Sequence, residues 1–345
     1  MLNPKLTSDW LCFEDFRSRY VKALVEEYPN SVPQTVAEPV VSVLIVTYQH
    51  SEYIRDCING VLTQKADFPI EIVIGDDEST DGTREICLEF AERYPGQIRF
   101  FLHKRQNNIR ILDRPTGIFQ VAYNLFNCRG KYLAICSGDD YWQDEMKLQK
   151  QVAYLEANPS VSFSYHDHIR FFPETGVTKG PFGVDRIQTV VGRNIFSKLP
   201  EEFLEVMQED TFLKFFWRQT GVAKYVEDVA PAVIRFHSRS MYTSLDPQNT
   251  HSHRKNVWKK IAKASKNDNR TRRNAEKKLV EVIFYRHRND RNQSVFSKAR
   301  AIISELKKEN HLFVGLMHSF VLILKRLPYA KGKNEKRTLH TATLD

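Results

Sequence analysis

The sequence predicts an α/β domain built on a mainly parallel sheet, followed by a basic helical region. Three observations carry that reading. Between Val40 and Cys136, short and almost wholly apolar runs alternate with amphipathic stretches of about 10–13 residues. Unbroken apolar runs are what strands buried on both faces require, and strand–helix alternation means βαβ units with right-handed crossovers. Beyond residue 250 the charge changes sign: 251–345 holds 24 Lys and Arg against 8 Asp and Glu, a net of +16, whereas 1–250 nets −7.

Taken in order, residues 13–27 have the spacing of an amphipathic helix, followed by a loop carrying Pro29, Pro33 and Pro39. Val40–Val46 reads as the first buried strand. Ser51 is placed to cap a helix running to about Thr63. Ile70–Ile74 gives a second strand, Thr83–Tyr94 a helix, Ile98–Leu102 a third strand, residues 117–127 a helix and Lys131–Cys136 a fourth strand. The alternation then fades. Val161–Tyr165 has strand composition, 200–208 and 211–220 read as helices, and Val222–Phe236 as two short strands around Pro231. From 251 onward the pattern is helical and basic. The division this implies is 1–39 as an N-terminal helical segment, 40–250 as the central domain and 251–345 as the basic region.

Composition narrows the class. Of 345 residues, 41% are hydrophobic and 27% charged, which excludes a mainly disordered chain and a multi-span membrane protein. The five cysteines are widely spaced with no C-x-x-C, so neither a disulfide framework nor a structural zinc site is expected, and a reducing cytosol fits best. The segment MLNPKLTSDWLCFEDF has no basic stretch leading into an apolar core, so no secretory signal is expected.

Ligands of open parallel sheets bind beyond the carboxyl ends of the strands. There the sequence places Thr47-Tyr48-Gln49 after the first strand, Gly75-Asp76-Asp77-Glu78-Ser79-Thr80-Asp81-Gly82 after the second and Ser137-Gly138-Asp139-Asp140-Tyr141-Trp142 after the fourth. Each piece alone reads as turn or cap chemistry. Two acidic pairs converging on one rim are costly unless cations or donors relieve them, which points to a bound metal or nucleotide. There is no G-x-G-x-x-G, no G-x-x-x-x-G-K-[ST], no H-E-x-x-H and no G-x-S-x-G, against dinucleotide, P-loop, zincin and α/β-hydrolase chemistry.

On these blocks (VSVLIVTYQHSEYIRDCINGVLTQ, IVIGDDESTDGT, GKYLAICSGDDYW and KLQKQVAYLEANP) the chain resembles the inverting family 2 glycosyltransferases of GT-A fold, over roughly residues 40–240. The resemblance implies transfer of a sugar from a nucleotide-diphosphate donor, UDP by preference, to a saccharide or lipid-linked saccharide acceptor in bacterial surface polysaccharide synthesis. It implies that Thr47 and Tyr48 lie against the base or ribose, and that Asp76 or Asp77 accepts hydrogen bonds from them. Asp139 matches the last Asp of the family's metal-binding D-x-D, with Asp140 beside it; Ser137 stands where the first carboxylate would be. Mg²⁺ or Mn²⁺ is the implied cofactor, with His237 as a further metal or diphosphate ligand. In Glu209-Asp210-Thr211, Asp210 takes the position of the catalytic base, the competing reading being a helix cap.

Other residues keep two readings. Trp142 either stacks an acceptor sugar or packs under the following helix. His166 and His168 either bind metal or belong to an edge strand. The apolar run His311–Leu324, flanked by Lys307, Lys308, Lys325 and Arg326, is too short to span a bilayer and reads as a surface-lying amphipathic helix or a docked one. The first would place the protein in the cytoplasm, peripheral to an anionic membrane. The rivals to an active transferase are a degenerate GT-A module that only binds nucleotide or partner, and a nucleic-acid binder using the basic tail. The second leaves the acidic strand ends unexplained.

Overall fold

The computed structural model describes residues 2, 4, 6–28, 38–111, 114–240, 247–288 and 295–308. The loop prolines Pro29 and Pro33 and the run His311–Leu324 lie outside the described residues.

The first helix, α1 (Phe13–Tyr20), is shorter than the periodicity suggests. The expected helix over 13–27 stops at Tyr20, and Glu26–Tyr28 becomes a strand, β1. Tertiary pairing overrides helical periodicity here. Asn107 Oδ1 accepts the backbone N–H groups of Lys22 and Ala23, both at 2.7 Å, and Glu27 pairs with Arg99 at 2.6 Å.

β2 (Val41–Thr47), β3 (Ile70–Asp76) and β4 (Ile98–Leu102) follow, separated by α2 (Ile54–Leu62) and α3 (Thr83–Arg93). Ser51 does not cap α2. Its backbone N–H is bound by Asp81 Oδ2, and the helix opens after Tyr53, with the His50 carbonyl accepting the Tyr53 and Ile54 amides. A small hairpin, β5 (Ile109–Ile111) and β6 (Arg114–Thr116), leads into α4 (Ile118–Asn127), then β7 (Tyr132–Ser137) and α5 (Lys147–Ala157). β8 (Val161–Tyr165), β9 (His168–Phe172), β10 (Val177–Phe182) and β11 (Val191–Arg193) precede α6 (Glu209–Thr220), β12 (Val222–Tyr225) and β13 (Ala232–Arg235). The expected helix over 200–208 is only a 3₁₀ turn, Glu201–Glu205, that buries Phe203 and Leu204.

The main sheet has eight strands in the order β1-β4-β3-β2-β7-β11-β8-β12. β2, β3, β4 and β7 are mutually parallel, as is the β8–β12 pair; β11 enters antiparallel between β7 and β8. The two strands around Pro231 go to different sheets. β12 extends the main one, and β13 joins β9 and β10 in a three-stranded sheet.

Alternation along β2 sends Val41, Val43 and Ile45 into one core with α2, α3 and α5, and Leu44 into the other with α1, α4 and α6. The result is three layers with the strand ends β2, β3 and β7 on one rim.

The basic region is helical in its described part: α7 (Pro247–Ala264), α8 (Asn269–Arg288) and α9 (Val295–Lys308). The first compact unit runs from Met1 to Ala275 and a second begins at Glu276. α7 therefore belongs to the unit that carries the sheet. Val257 and Ile261 are buried in its core, and Trp258 meets Phe215 edge-on at 5.6 Å. Among the described residues no helix is long and apolar enough to cross a membrane.

Candidate active site

At the end of β3 two adjacent carboxylates have separate fates. Asp76 is fully buried, and its Oδ2 accepts Arg84 Nε at 2.6 Å and the Ser79 amide at 3.1 Å. Asp77 turns toward the other side. Its Oδ2 accepts Arg105 at 2.9 Å and the Asn108 amide at 2.7 Å, while its buried Oδ1 has no hydrogen-bond partner in the described structure. Burial pushes the Asp77 carboxyl up to about 6 against the pull of Asn108 and Arg105. The same Arg105 guanidinium lies 4.2 Å from the centre of the Tyr48 ring, which is 38% exposed. Tyr48, Asp77, Arg105 and Asn108 thus form one cradle with a π face, a carboxylate and a planar cation.

Thr47 is buried, and its hydroxyl is 3.1 Å from His50 Nδ1. Gln49 adopts a left-handed φ of 56° and is held there by Ser79 Oγ on its amide and by two side-chain contacts with Thr80. A side chain at Gly138 would drive its Cβ to 2.6 Å from Thr47 Oγ1 and 2.9 Å from His50 Nδ1, so the β7 loop closes on β2 only with glycine there.

That loop carries the second acidic pair. Asp139 Oδ2 faces His237 Nε2 at 3.2 Å and His50 Nε2 at 3.9 Å. Burial works to raise its pKa, yet the His237 hydrogen bond and the nearby His50 ring hold it below the usual carboxylate range. Asp140 is 2% exposed with both oxygens engaged: Oδ1 accepts the Arg235 amide at 2.8 Å, and Oδ2 accepts Gln188 Nε2 at 2.7 Å. Burial and then the charge of Asp139 push the Asp140 carboxyl well above its ordinary value. Asp140 therefore anchors the loop, and Asp139 is the carboxylate left facing the rim. Gln188 Nε2 also reaches Ser137 Oγ at 3.2 Å. Arg235 donates to the Asp139 carbonyl at 2.9 Å, pairs with Asp56, and stacks on Tyr141 and Tyr53.

Glu209 and Asp210 open α6 and line one cavity with Ser137, Ile187 and Leu213. The fold thus brings the α6 start to the end of β7. Asp210 is not the N-cap, which is Gln208; its Oδ2 pairs with Lys214 at 3.1 Å. Burial raises the Asp210 pKa, but Lys214 outweighs it and holds the carboxyl low. Burial and the neighbouring Asp210 charge push Glu209 up to about 7.

Trp142 does not present a sugar-stacking face. It is 4% exposed, its Nε1 donates to the Gln188 carbonyl at 2.8 Å, and Lys147 Nζ sits 4.1 Å from its ring centre. His166 falls just beyond β8 and His168 opens β9; both are buried, and among the described residues they join no metal-ligating cluster. Arg105, Asn108, Gln188, Arg235 and His50 were not singled out by the sequence. His50 lies in the first quoted block and Arg235 in the second short strand expected around Pro231, whereas Gln188 lies in a 3₁₀ turn, Ile187–Thr189, with no pattern to mark it.

Residues 42–190 match the model of glycosyl transferase family 2. An uncharacterized protein of Mycobacterium tuberculosis is 40% identical over 141 residues, which are 41% of this chain and 38% of that protein. The Bacillus subtilis glycosyltransferase TuaG, whose name places it in teichuronic acid biosynthesis, is 33% identical over 130 residues, 37% of this chain and 46% of its own length. The chain thus spans less than half the length of these curated relatives. Among solved structures, S. aureus TarS 1–349 in complex with UDP-GlcNAc superposes with a TM-score of 0.53 at 16% identity, covering 83% of this chain and 92% of that one. With its paired acidic strand ends on the rim of a three-layer sheet, the chain carries a family 2 glycosyltransferase domain of GT-A fold.

Proposed function

We propose that the protein is an inverting glycosyltransferase that moves a sugar from a nucleoside-diphosphate donor to a saccharide or lipid-linked saccharide acceptor in surface polysaccharide synthesis. The observation that carries this reading is the meeting of three groups on one rim: the Tyr48–Asp77–Arg105 cradle, the outward carboxylate Asp139 with His237, and the Glu209–Asp210 pair across the cavity from Ser137. UDP is the donor nucleotide favoured by the family resemblance, and TarS was solved with UDP-GlcNAc.

In this mechanism the base stacks on Tyr48 and gives a ring N–H to the Asp77 carboxylate beside it. Thr47 and Asp76 act from behind, Thr47 by holding His50 and Asp76 by fixing Arg84 and the Ser79 turn. The acceptor hydroxyl attacks the anomeric carbon from the Asp210 side as the bond to the diphosphate breaks on the opposite face. The diphosphate leaves with the bonding pair, and the acceptor proton passes to an Asp210 oxygen. Lys214 keeps that carboxylate ionised and oriented.

A divalent cation fits the chemistry of Asp139 and His237, one carboxylate and one imidazole 3.2 Å apart. Among the described residues no three His, Cys, Asp or Glu side chains converge to hold a cation alone. Mg²⁺ or Mn²⁺ would be shared with the diphosphate and water, and when bound it would offset the charge of the leaving group. Asp140 contributes by anchoring the loop that presents Asp139.

A cytoplasmic protein peripheral to an anionic membrane is the placement we favour for a lipid-linked acceptor. Part of the basic charge is answered internally, since Lys260 pairs with Glu205, Lys263 with Glu202 and Lys266 with Asp9. Arg270 and Arg273 on α8 stay exposed and suit such a surface.

The test is the product. Incubation with an α-linked nucleotide sugar and a saccharide acceptor, followed by proton NMR of the anomeric signal, is expected to give a β linkage. An α linkage would remove the single-displacement mechanism.

A further inference from the structure

His50 touches no ligand in the mechanism above, yet it is held at both its backbone and its ring. Its backbone N–H donates to Thr83 Oγ1 at 2.8 Å, and its carbonyl accepts the first amides of α2. Its ring is fixed on the inner side by the contact of Nδ1 with the buried Thr47 hydroxyl at 3.1 Å. The outer nitrogen, Nε2, faces Asp139 Oδ2 at 3.9 Å, beyond hydrogen-bond reach, and has no hydrogen-bond partner among the described residues. The side chain keeps 19% of its surface exposed, so a ligand on the rim can reach it.

We propose that His50 is a diphosphate-contacting residue, donating its Nε2–H directly to a non-bridging phosphate oxygen of the leaving nucleoside diphosphate, without a metal ion between them. This rests on reading the rim as a nucleotide-sugar site.

The tautomer follows from the neighbours. An ionised carboxylate only accepts hydrogen bonds, so the ring nitrogen facing Asp139 is the one that carries hydrogen. Nδ1 is then the acceptor of the Thr47 hydroxyl, and that bond sets the direction of the outer N–H. The Thr47 contact on Nδ1 and the Thr83 hydroxyl on the backbone amide hold the ring with Nε2 turned to the Asp139 side. A diphosphate arriving beside Asp139 would otherwise meet a like charge. His50 at 3.9 Å and His237 at 3.2 Å from the same carboxylate oxygen place donors along that seam. Ser137 supplies no carboxylate there, its Oγ accepting Gln188 Nε2–H at 3.2 Å, so the seam carries one negative charge fewer than a D-x-D loop. A donor whose orientation is fixed before the ligand arrives stabilises developing charge with little reorganisation.

Two substitutions separate this role from mere packing. In His50→Asn the amide keeps the place of Nδ1 beside Thr47 but nothing reaches the outer position. In His50→Gln the amide nitrogen falls close to Nε2. The full chain is titrated calorimetrically with UDP and with GDP in excess EDTA, after each variant is shown to keep its thermal transition. Loss of one hydrogen bond to a charged group is expected to weaken binding by roughly ten- to a hundredfold in His50→Asn, and His50→Gln is expected to recover most of it. Equal affinity of His50→Asn and the unsubstituted chain in EDTA would overturn the proposal. So would a loss that appears only when Mn²⁺ is added, since His50 would then act through the metal. If the unsubstituted chain binds neither nucleotide with or without Mn²⁺, the reading of the rim itself fails.

Discussion

Neighbouring carboxylates at this rim are separated by their partners, and single residues decide how each of a pair is held. Asp76 Oδ2 is bound by Arg84 and the Ser79 amide while Asp77 Oδ2 is bound by Arg105 and Asn108, on the side of the Tyr48 ring; Asp140 is clamped by Gln188 and Arg235 while Asp139 faces outward. Sequence reasoning found both pairs but not this division, because the groups that clamp Asp140 come from elsewhere in the chain: Arg235 from β13 and Gln188 from a 3₁₀ turn, Ile187–Thr189. Asp210 was singled out by resemblance alone, and its ion-pair partner Lys214 sits one helical turn on. Replacing Asp210 with Asn is expected to lower transfer by about 10²–10⁴-fold with nucleotide-sugar affinity unchanged, measured by product formation and calorimetry on the same preparation. Near-normal turnover would remove Asp210 from the mechanism.

One buried cation outside the chemistry also has a readable consequence. Lys147 is fully buried against Trp142 and Gln151, and burial brings its pKa down from 10.5 to about 7. Between those values the unfolded chain binds the proton and the folded one does not, so stability rises with pH across that window. From pH 7 to 9 the protein is expected to gain roughly 2–3 kcal/mol relative to Lys147→Met. Urea unfolding of both proteins at the two pH values measures the difference; parallel pH profiles would contradict a neutral buried Lys147.

At the scale of elements, the long periodic segments were the legible ones. β4 and β8 match their expected bounds, and α3 and α4 match within one residue, because buried parallel strands and their covering helices write their burial into local pattern. The misses are short or depend on distant partners. β1 is a three-residue strand defined by its pairing with β4, and β11 is a three-residue strand inserted between β7 and β8. The β9–β10 hairpin lies at the surface with β10 largely exposed, so it carries no apolar run to announce it. The close approaches that bring elements to the site were equally hidden. Gly138 is required where the β7 loop meets Thr47 and His50, and nothing local to Ser137-Gly138-Asp139 shows that contact.

For the whole molecule, charge suggested a boundary near residue 250, while packing carries the sheet-bearing unit on to Ala275. α7 is basic outside and apolar inside: Val257 and Ile261 join a core with Phe203, Phe212 and Phe216. Ile261→Ala is expected to cost about 2–5 kcal/mol by leaving a cavity under α6, read as a lower thermal midpoint of the full chain. A change of a few tenths of a degree would mean that α7 adds little to this core.

The central claim is that this rim binds a nucleoside-diphosphate sugar through Asp139. It is tested most directly by thermal unfolding of the full chain and of Asp139→Ala against a panel of nucleoside diphosphates and their sugars, with Mn²⁺ and with EDTA. A ligand at about 100 times its Kd adds roughly 2.7 kcal/mol to the folded state. At least one nucleotide sugar is expected to raise the midpoint by several degrees in Mn²⁺, with a clearly smaller rise in Asp139→Ala. A cooperative transition that no member of the panel moves, or one raised equally in both proteins, would contradict the account.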